Sequence, residues 1–267
     1  MLSLQDTISV PDDAENHHRI FIKGVTKKYA DHLALDRVDL ELKQNSFTCL
    51  LGPSGCGKST LLNMIAGFIT PTSGEIWVDG TRVTGPGPDR GVVFQEYALF
   101  PWRTVMENVA FGPMLKGHSR LQQRDIALTV LERVGLLPYQ DRLPRDLSGG
   151  MKQRVAIARA LANNPTVLLM DEPFGALDAQ TRESLQEEMK RIWQQERKTV
   201  IFVTHSISEA IFLADKIVVM GTQPGHIKKV IDVNLIDSGN PLSQDFVALA
   251  AELRKLIKHE AAKNADA

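Results

Sequence analysis

Gly52-Pro53-Ser54-Gly55-Cys56-Gly57-Lys58-Ser59 has the spacing G-x-x-x-x-G-K-[ST], in which glycines let backbone N–H groups turn inward around a phosphate. The apolar run Ser46 to Leu51 precedes it and an apolar-periodic stretch from Lys58 to Ala66 follows. A strand would therefore deliver the loop, and a helix N-terminus would add its dipole to anion binding. In that setting Lys58 reaches the β and γ phosphates, and the Ser59 hydroxyl is offered to Mg2+. At average glycine usage such a match arises by accident in about 1% of chains of this length. The strand-helix context lowers that further.

A second element is Val167-Leu168-Leu169-Met170-Asp171-Glu172, an apolar strand delivering two carboxylates to its C-terminal end, where open α/β sheets bind ligands. In isolation a carboxylate ending a strand is as often a helix cap. With a phosphate loop upstream, Asp171 is expected to hold Mg2+ through water, and Glu172 to polarise an attacking water as general base. A third is Leu147-Ser148-Gly149-Gly150-Met151. Ser148 is a natural N-cap, and two glycines leave the following amides bare, which makes a second candidate anion-binding helix end.

The elements that position these residues follow from patterning. Ile20 to Val25, Leu33 to Leu42, Ser46 to Leu51, Gly74 to Asp79 and Gly91 to Phe94 read as strands. From Glu96 to about Ala162 the signals turn helical, with capping-box spacings at Thr104/Glu107 and Ser119/Gln122. Mainly apolar runs at Thr166–Met170 and Thr199–Thr204 read as parallel strands covered on both faces, separated by a helix from Ala179 to Glu196. Ser206 and Glu209 have the spacing to cap a further helix. Lys216 to Met220 and Ile227 to Val233 are the last strands. Phe246, Leu249, Leu253, Leu256 and Ile257 give a final amphipathic helix, and Ala261 to Ala267 loses the period and is expected to fray. The pattern is an α/β domain carrying a helical insert.

The 267 residues carry 31 Lys plus Arg against 32 Asp plus Glu, too near neutrality for a dedicated nucleic-acid binder. Two cysteines, Cys49 and Cys56, exclude a disulfide framework. The acidic segment Met1 to His18 lacks the apolar core of a signal peptide and reads as a mobile leader. The longest apolar run, Phe246 to Ala251, falls far short of the roughly 18 residues of a spanning helix. Work at a membrane would need another chain to cross it.

The phosphate loop, Gln95 after a strand, Leu147 to Met151, Val167 to Glu172, Ala176-Leu177-Asp178 and His205 occur in the order found in the ATP-binding subunits of ABC transporters. The sequence resembles that family over about residues 20 to 233. The signature ending in Met151, with Gln95-Glu96-Tyr97-Ala98-Leu99-Phe100-Pro101-Trp102, is similar to the importer group for nitrate, sulfonates, taurine and related small solutes. Asn45-Ser46 stands where the family often has Gly-Glu; Asn tolerates the left-handed conformation a glycine would supply.

The resemblance implies an α/β P-loop ATPase core with a helical subdomain insert at about 96–162 and an antiparallel β subdomain. These lie within an ATPase domain at 19–233, between the leader at 1–18 and a C-terminal helix and tail at 234–267. It implies nucleotide contacts from Tyr29, which stacks on adenine, and from Gly52, Pro53, Ser54, Gly55, Cys56, Gly57, Lys58, Ser59 and Thr60. Gln95 would contact Mg2+ and the attacking water, with Ser59 and Asp171 as the other metal ligands. His205 would hold the γ-phosphate beside the base Glu172. Ser148, Gly149 and Gly150 would meet the ATP of a second subunit, with Asp178 at the interface of the homodimer. The further partners implied are an integral membrane permease and, through it, a periplasmic or extracellular solute-binding protein, with no nucleic acid. The subunit would sit peripherally at the cytoplasmic face of the membrane. A soluble ABC ATPase acting on DNA or ribosomes would carry long coiled-coil insertions or two nucleotide domains, and the Gln95 to Trp102 segment disfavours an exporter.

Other features have plainer readings. His17-His18 is a solvent-exposed pair in a polar leader rather than a metal site. Cys56 is a small filler of its loop rather than a nucleophile. Its loop position predicts a thiol open to alkylation in the free protein and covered under Mg-ATP. Tyr97, Phe100 and Trp102 fit either core packing of the insert or a docking surface for the permease.

Overall fold

A computed structural model describes residues 18–196, 198–233 and 240–265. The expected leader as far as His17, and the segment 234–239, lie outside the described residues.

β1 (His18–Tyr29) and β2 (His32–Lys43) form a long antiparallel hairpin. On β2 Val38, Leu40 and Leu42 alternate inward and are buried, as expected of a half-buried strand, and Leu35 is buried beyond an irregularity in which Arg37 has φ +38°. β4 (Ser73–Val78) pairs with β1, and the short β5 (Thr81–Arg82), which the sequence pattern did not mark, completes an antiparallel sheet of order β2-β1-β4-β5.

The second sheet holds β3 (Phe47–Leu51), β6 (Arg90–Val93), β7 (Val167–Asp171), β8 (Thr199–Thr204), β9 (Lys216–Gly221) and β10 (His226–Asp232) in the order β10-β9-β3-β8-β7-β6. Its neighbours pair in parallel, except β10, which runs antiparallel to β9. Asn45, in the turn entering β3, has φ +61°, the left-handed conformation expected of it.

α1 (Lys58–Ala66) lies between the two sheets. Its Leu61, Leu62, Met64 and Ile65 share one buried cluster with Ile20 and Ile22 of β1 and with Leu169, Ile201 and Val203 of β7 and β8. The alternate residues Leu168, Met170 and Phe202 face a second cluster with the remaining helices. Both faces of the parallel sheet are covered, which is why its strands read as unbroken apolar runs. Gly67 stops α1 at φ +82°.

The helical part contains α2 (Val105–Leu115), α3 (Arg120–Arg133) and α4 (Gly149–Leu161), and both expected capping boxes are formed. Helix begins only at Val105, not near Glu96. The intervening loop is fixed by buried Asn108, which donates to the carbonyls of Phe100, Arg103 and Thr104 and accepts from the Phe100 N–H. α5 (Ala179–Glu196) and α6 (Ile207–Leu213) flank β8 in sequence. α7 (Gln244–Ala265) packs on α6 and β9, and its helical backbone continues past Ala261, where fraying was expected.

Candidate functional site

β3, β7 and β8 are adjacent parallel strands, so the loops leaving their C-terminal ends converge. From β3 the chain turns through Gly52 to Gly57 into α1. Gly57 occupies the N-cap position at φ +89° with no side-chain cap, which leaves the first amides of α1 to a ligand. A β-carbon there would meet Leu35 Cδ2 at 2.5 Å. Leu35 thus packs the β1–β2 hairpin against the loop. Lys58 is buried, its ammonium donating to the carbonyls of Gly52 (2.8 Å) and Pro53 (2.9 Å).

Cys56 corrects the expectation of an accessible thiol. Its side chain is 0% exposed, and burial pushes the thiol pKa up against the opposing influence of the Lys58 charge. Gly225, in the turn between β9 and β10, covers the loop so closely that a β-carbon on it would lie 2.3 Å from the Cys56 carbonyl oxygen.

On the facing strand, Ser59 Oγ donates to Asp171 Oδ1 at 2.9 Å. Partial burial, with the neighbouring Glu172 charge adding to it, raises the Asp171 pKa; the Ser59 hydrogen bond and Lys58 work against this rise. A hydroxyl and a carboxylate held together are hard oxygen donors, which fits Mg2+.

Glu172 leaves β7 with φ +42°, its N–H donating to the Val203 carbonyl at 3.1 Å. The β7–β8 register pairs Asp171 with Val203, so the residue after β8, His205, arrives beside Glu172. Its Nδ1 lies 3.1 Å from Glu172 Oε2. Gln95 is exposed just after β6, the neighbour of β7. Tyr29, 43% exposed, ends β1 at the hairpin tip, where it pairs with His32, with the Lys27 ammonium 4.9 Å from its ring centroid.

The Leu147–Met151 segment lies elsewhere. Ser148 caps α4, its Oγ accepting from the Met151 N–H at 3.3 Å. α4 packs against α2, α3, α5 and β6, whereas α1 packs against β2, β6, β7 and β8. Gly150 admits no side chain, since a β-carbon would lie 2.5 Å from Thr181 Cγ2. A β-carbon on Gly149 would lie 3.0 Å from the Tyr97 hydroxyl, and Arg159 of α4 donates to the carbonyls of Tyr97 (3.3 Å) and Ala98 (2.6 Å), tying the loop after Gln95 to this helix. Asp178 caps α5: its Oδ1 accepts from the Thr181 N–H at 3.0 Å, which holds its carboxyl below the usual range.

Sequence reasoning missed the Arg159 tie and the hydrogen bonds of Glu209 beyond its cap position. Glu209 offered a partial signal in its spacing from Ser206; Arg159 offered none.

A phosphate loop, an acidic strand end and a histidine gathered at the C-terminal edge of a parallel sheet define a P-loop nucleotide-binding fold. The comparisons take this further. Residues 35–175 match the family model described as ABC transporter. An uncharacterized ABC transporter ATP-binding protein of Methanocaldococcus jannaschii is 51% identical, over 97% of this chain and 96% of its own length. The nitrate import ATP-binding protein NrtD of Synechocystis is 50% identical, with 82% of this chain and 80% of that protein covered. A taurine import ATP-binding protein, TauB of Roseobacter denitrificans, is 47% identical, with 86% and 82% covered. Among solved structures, a dimeric ATP-binding cassette in a post-hydrolysis state with ADP and Pi has a TM-score of 0.71 at 35% identity, covering 81% of this chain and all of that one. The chain belongs to the ABC transporter family, and it is an ATP-hydrolysing cassette of that family. No helix among the described residues is long and apolar enough to cross a membrane.

Proposed function

We propose that this subunit hydrolyses ATP to power import of a small solute, of the nitrate, sulfonate or taurine kind, through a separate membrane permease. The observation that carries the chemistry is the convergence of Ser59 on Asp171 and of His205 on Glu172 at neighbouring strand ends. The likeness to nitrate and taurine import proteins supports the import class.

In this reading ATP is held by Gly52 through Thr60. Backbone amides and the α1 terminus take its phosphates, and Lys58 trades its loop carbonyls for them. Tyr29 stacks on the adenine. Ser59, Asp171 and Gln95 would hold Mg2+, which when bound neutralises phosphate charge. Glu172 takes the proton of the attacking water, and His205 places the γ-phosphate against it. Ser148, Gly149 and Gly150 sit on a helix packed away from their own phosphate loop, so they serve the partner's ATP in a two-fold homodimer, with Asp178 at the interface. Hydrolysis then opens the dimer. The 19–233 portion works as the ATPase domain, peripheral at the cytoplasmic face. The permease takes solute from a binding protein on the other side.

The test is uptake of labelled nitrate, taurine and an alkanesulfonate by cells lacking the chain. Uptake of one of them is lost, and is restored by the parent chain but not by Glu172→Gln. Unchanged uptake of all three would remove the import reading.

A further inference from the structure

Glu209 is only 8% exposed and has no part in the machinery assigned above. Its position is that of the acidic partner in a capping box, three residues after the α6 N-cap Ser206. In such a box the carboxylate reaches back to the N–H of the capping residue. Here it does not. The Ser206 N–H donates to Thr204 Oγ1 at 2.9 Å, and Thr204 Oγ1 in turn donates to Glu209 Oε2 at 2.5 Å. The hydroxyl of the last β8 residue is thus inserted into the cap. The Glu209 N–H donates to Ser206 Oγ at 3.3 Å, so the chain is hydrogen-bonded on both sides of His205. The other carboxylate oxygen, Oε1, accepts from Gln186 Nε2 of α5 at 3.1 Å. Capping α6 alone requires neither Thr204 nor Gln186. What the arrangement adds is a fixed joint between the end of β8, the start of α6 and the middle of α5. His205 stands in that joint, and α5 is the helix that Asp178 opens.

We infer that Glu209 is a positioning residue that sets the His205 imidazole against Glu172 and, through Gln186, ties that pose to α5. The inference rests on the reading of His205 as the γ-phosphate contact. It makes the histidine's pose depend on a helix that begins at the proposed subunit interface.

The test is equilibrium binding of ADP and of the non-hydrolysable analogue AMP-PNP, with Mg2+, to dilute full-length chain. The ratio of the two dissociation constants isolates the γ-phosphate contact, and a charge-assisted hydrogen bond there is worth about tenfold or more. Glu209→Ala is expected to cut the AMP-PNP preference at least fivefold while ADP affinity stays within twofold, and Glu209→Gln to retain most of the preference. In a His205→Ala background Glu209→Ala should change the ratio by less than twofold, because the group it acts through is gone. An equal loss in both backgrounds, or an unchanged preference in Glu209→Ala, would overturn the inference. Should Glu209→Ala fail to bind ADP, half-buried Gln186→Ala carries the test: a smaller loss of preference supports the joint, and no loss overturns it. A parent chain without preference, or a His205→Ala chain that keeps it, would instead remove the γ-phosphate role of His205 on which the inference stands.

Discussion

Ser59 Oγ donates a 2.9 Å hydrogen bond to Asp171 Oδ1 across 112 positions of the chain. The contact joins the first turn of α1 to the end of β7, and it places a carboxylate in a partly buried spot beside a second one. Burial, chiefly, then raises the Asp171 pKa. The folded chain therefore holds this proton more tightly than the unfolded chain. Stability from this group is complete below the ordinary carboxylate range and is lost as pH rises through the raised value. At neutral pH the ionised carboxylate is a cost that a bound cation removes. Asp171→Asn, which keeps an acceptor for Ser59, should melt at or above the parent without nucleotide at pH 7. Saturation near one hundred times the dissociation constant stabilises a protein by about 2.7 kcal/mol, several degrees here. Mg-ATP should give that shift in the parent and little of it in Asp171→Asn. A nucleotide-free variant melting well below the parent across pH 5–8 would contradict this account.

Ser148 has a structural duty in its own chain as the α4 cap. Ser148→Arg should lower stability by about 1 kcal/mol through loss of that cap. It should also block hydrolysis while monomer affinity for ATP stays within twofold. The measurements are a melt, a nucleotide titration of dilute protein and a turnover assay. Collapse of monomer affinity would argue against nucleotide contact in trans.

The Cys56 thiol, enclosed and with a raised pKa, should react slowly with a maleimide at neutral pH. The rate should be low with or without Mg-ATP and rise sharply in denaturant. Fast labelling of the native free chain would place the thiol on the surface.

What local chemistry specifies was readable from the residues. The Lys58–Ala66 helix with its Gly67 stop, both capping boxes, and the Ala179–Glu196 helix stand at the expected positions. What depends on distant packing was not. Cys56 looked reachable because the sequence does not show its side chain turning inward, beside the Lys58 ammonium and into the buried cluster beneath the loop. Thr81–Arg82 has too few residues to show a period and is a strand only because β4 lies beside it. The ring of hydrogen bonds around His205 was half visible, as a cap spacing; the insertion of Thr204 and the reach of Gln186 come from strand register and helix packing.

Trp102 is 73% exposed, whereas Phe100 packs edge-on to Phe111 at 4.6 Å and lies 5.6 Å from the guanidinium of Arg159. Local packing thus belongs to half-buried Phe100, and Trp102, its ring 5.9 Å from that of Phe100, keeps most of its surface open to another chain. Trp102→Ala should change the stability of the isolated subunit by no more than about 0.5 kcal/mol, as a surface substitution does. It should still bind ATP and should impair transport. A much lower melting temperature would return Trp102 to the core, and normal transport would remove it from the permease surface.

Steady-state Mg-ATP hydrolysis by Glu172→Gln beside the parent tests the central claim most directly. The substitution preserves side-chain shape and the phosphate-binding loop while removing the proposed base. Turnover should fall by about 10²- to 10⁴-fold with ATP affinity retained. Turnover close to the parent's would show that the carboxylate beside His205 is not the group that activates water.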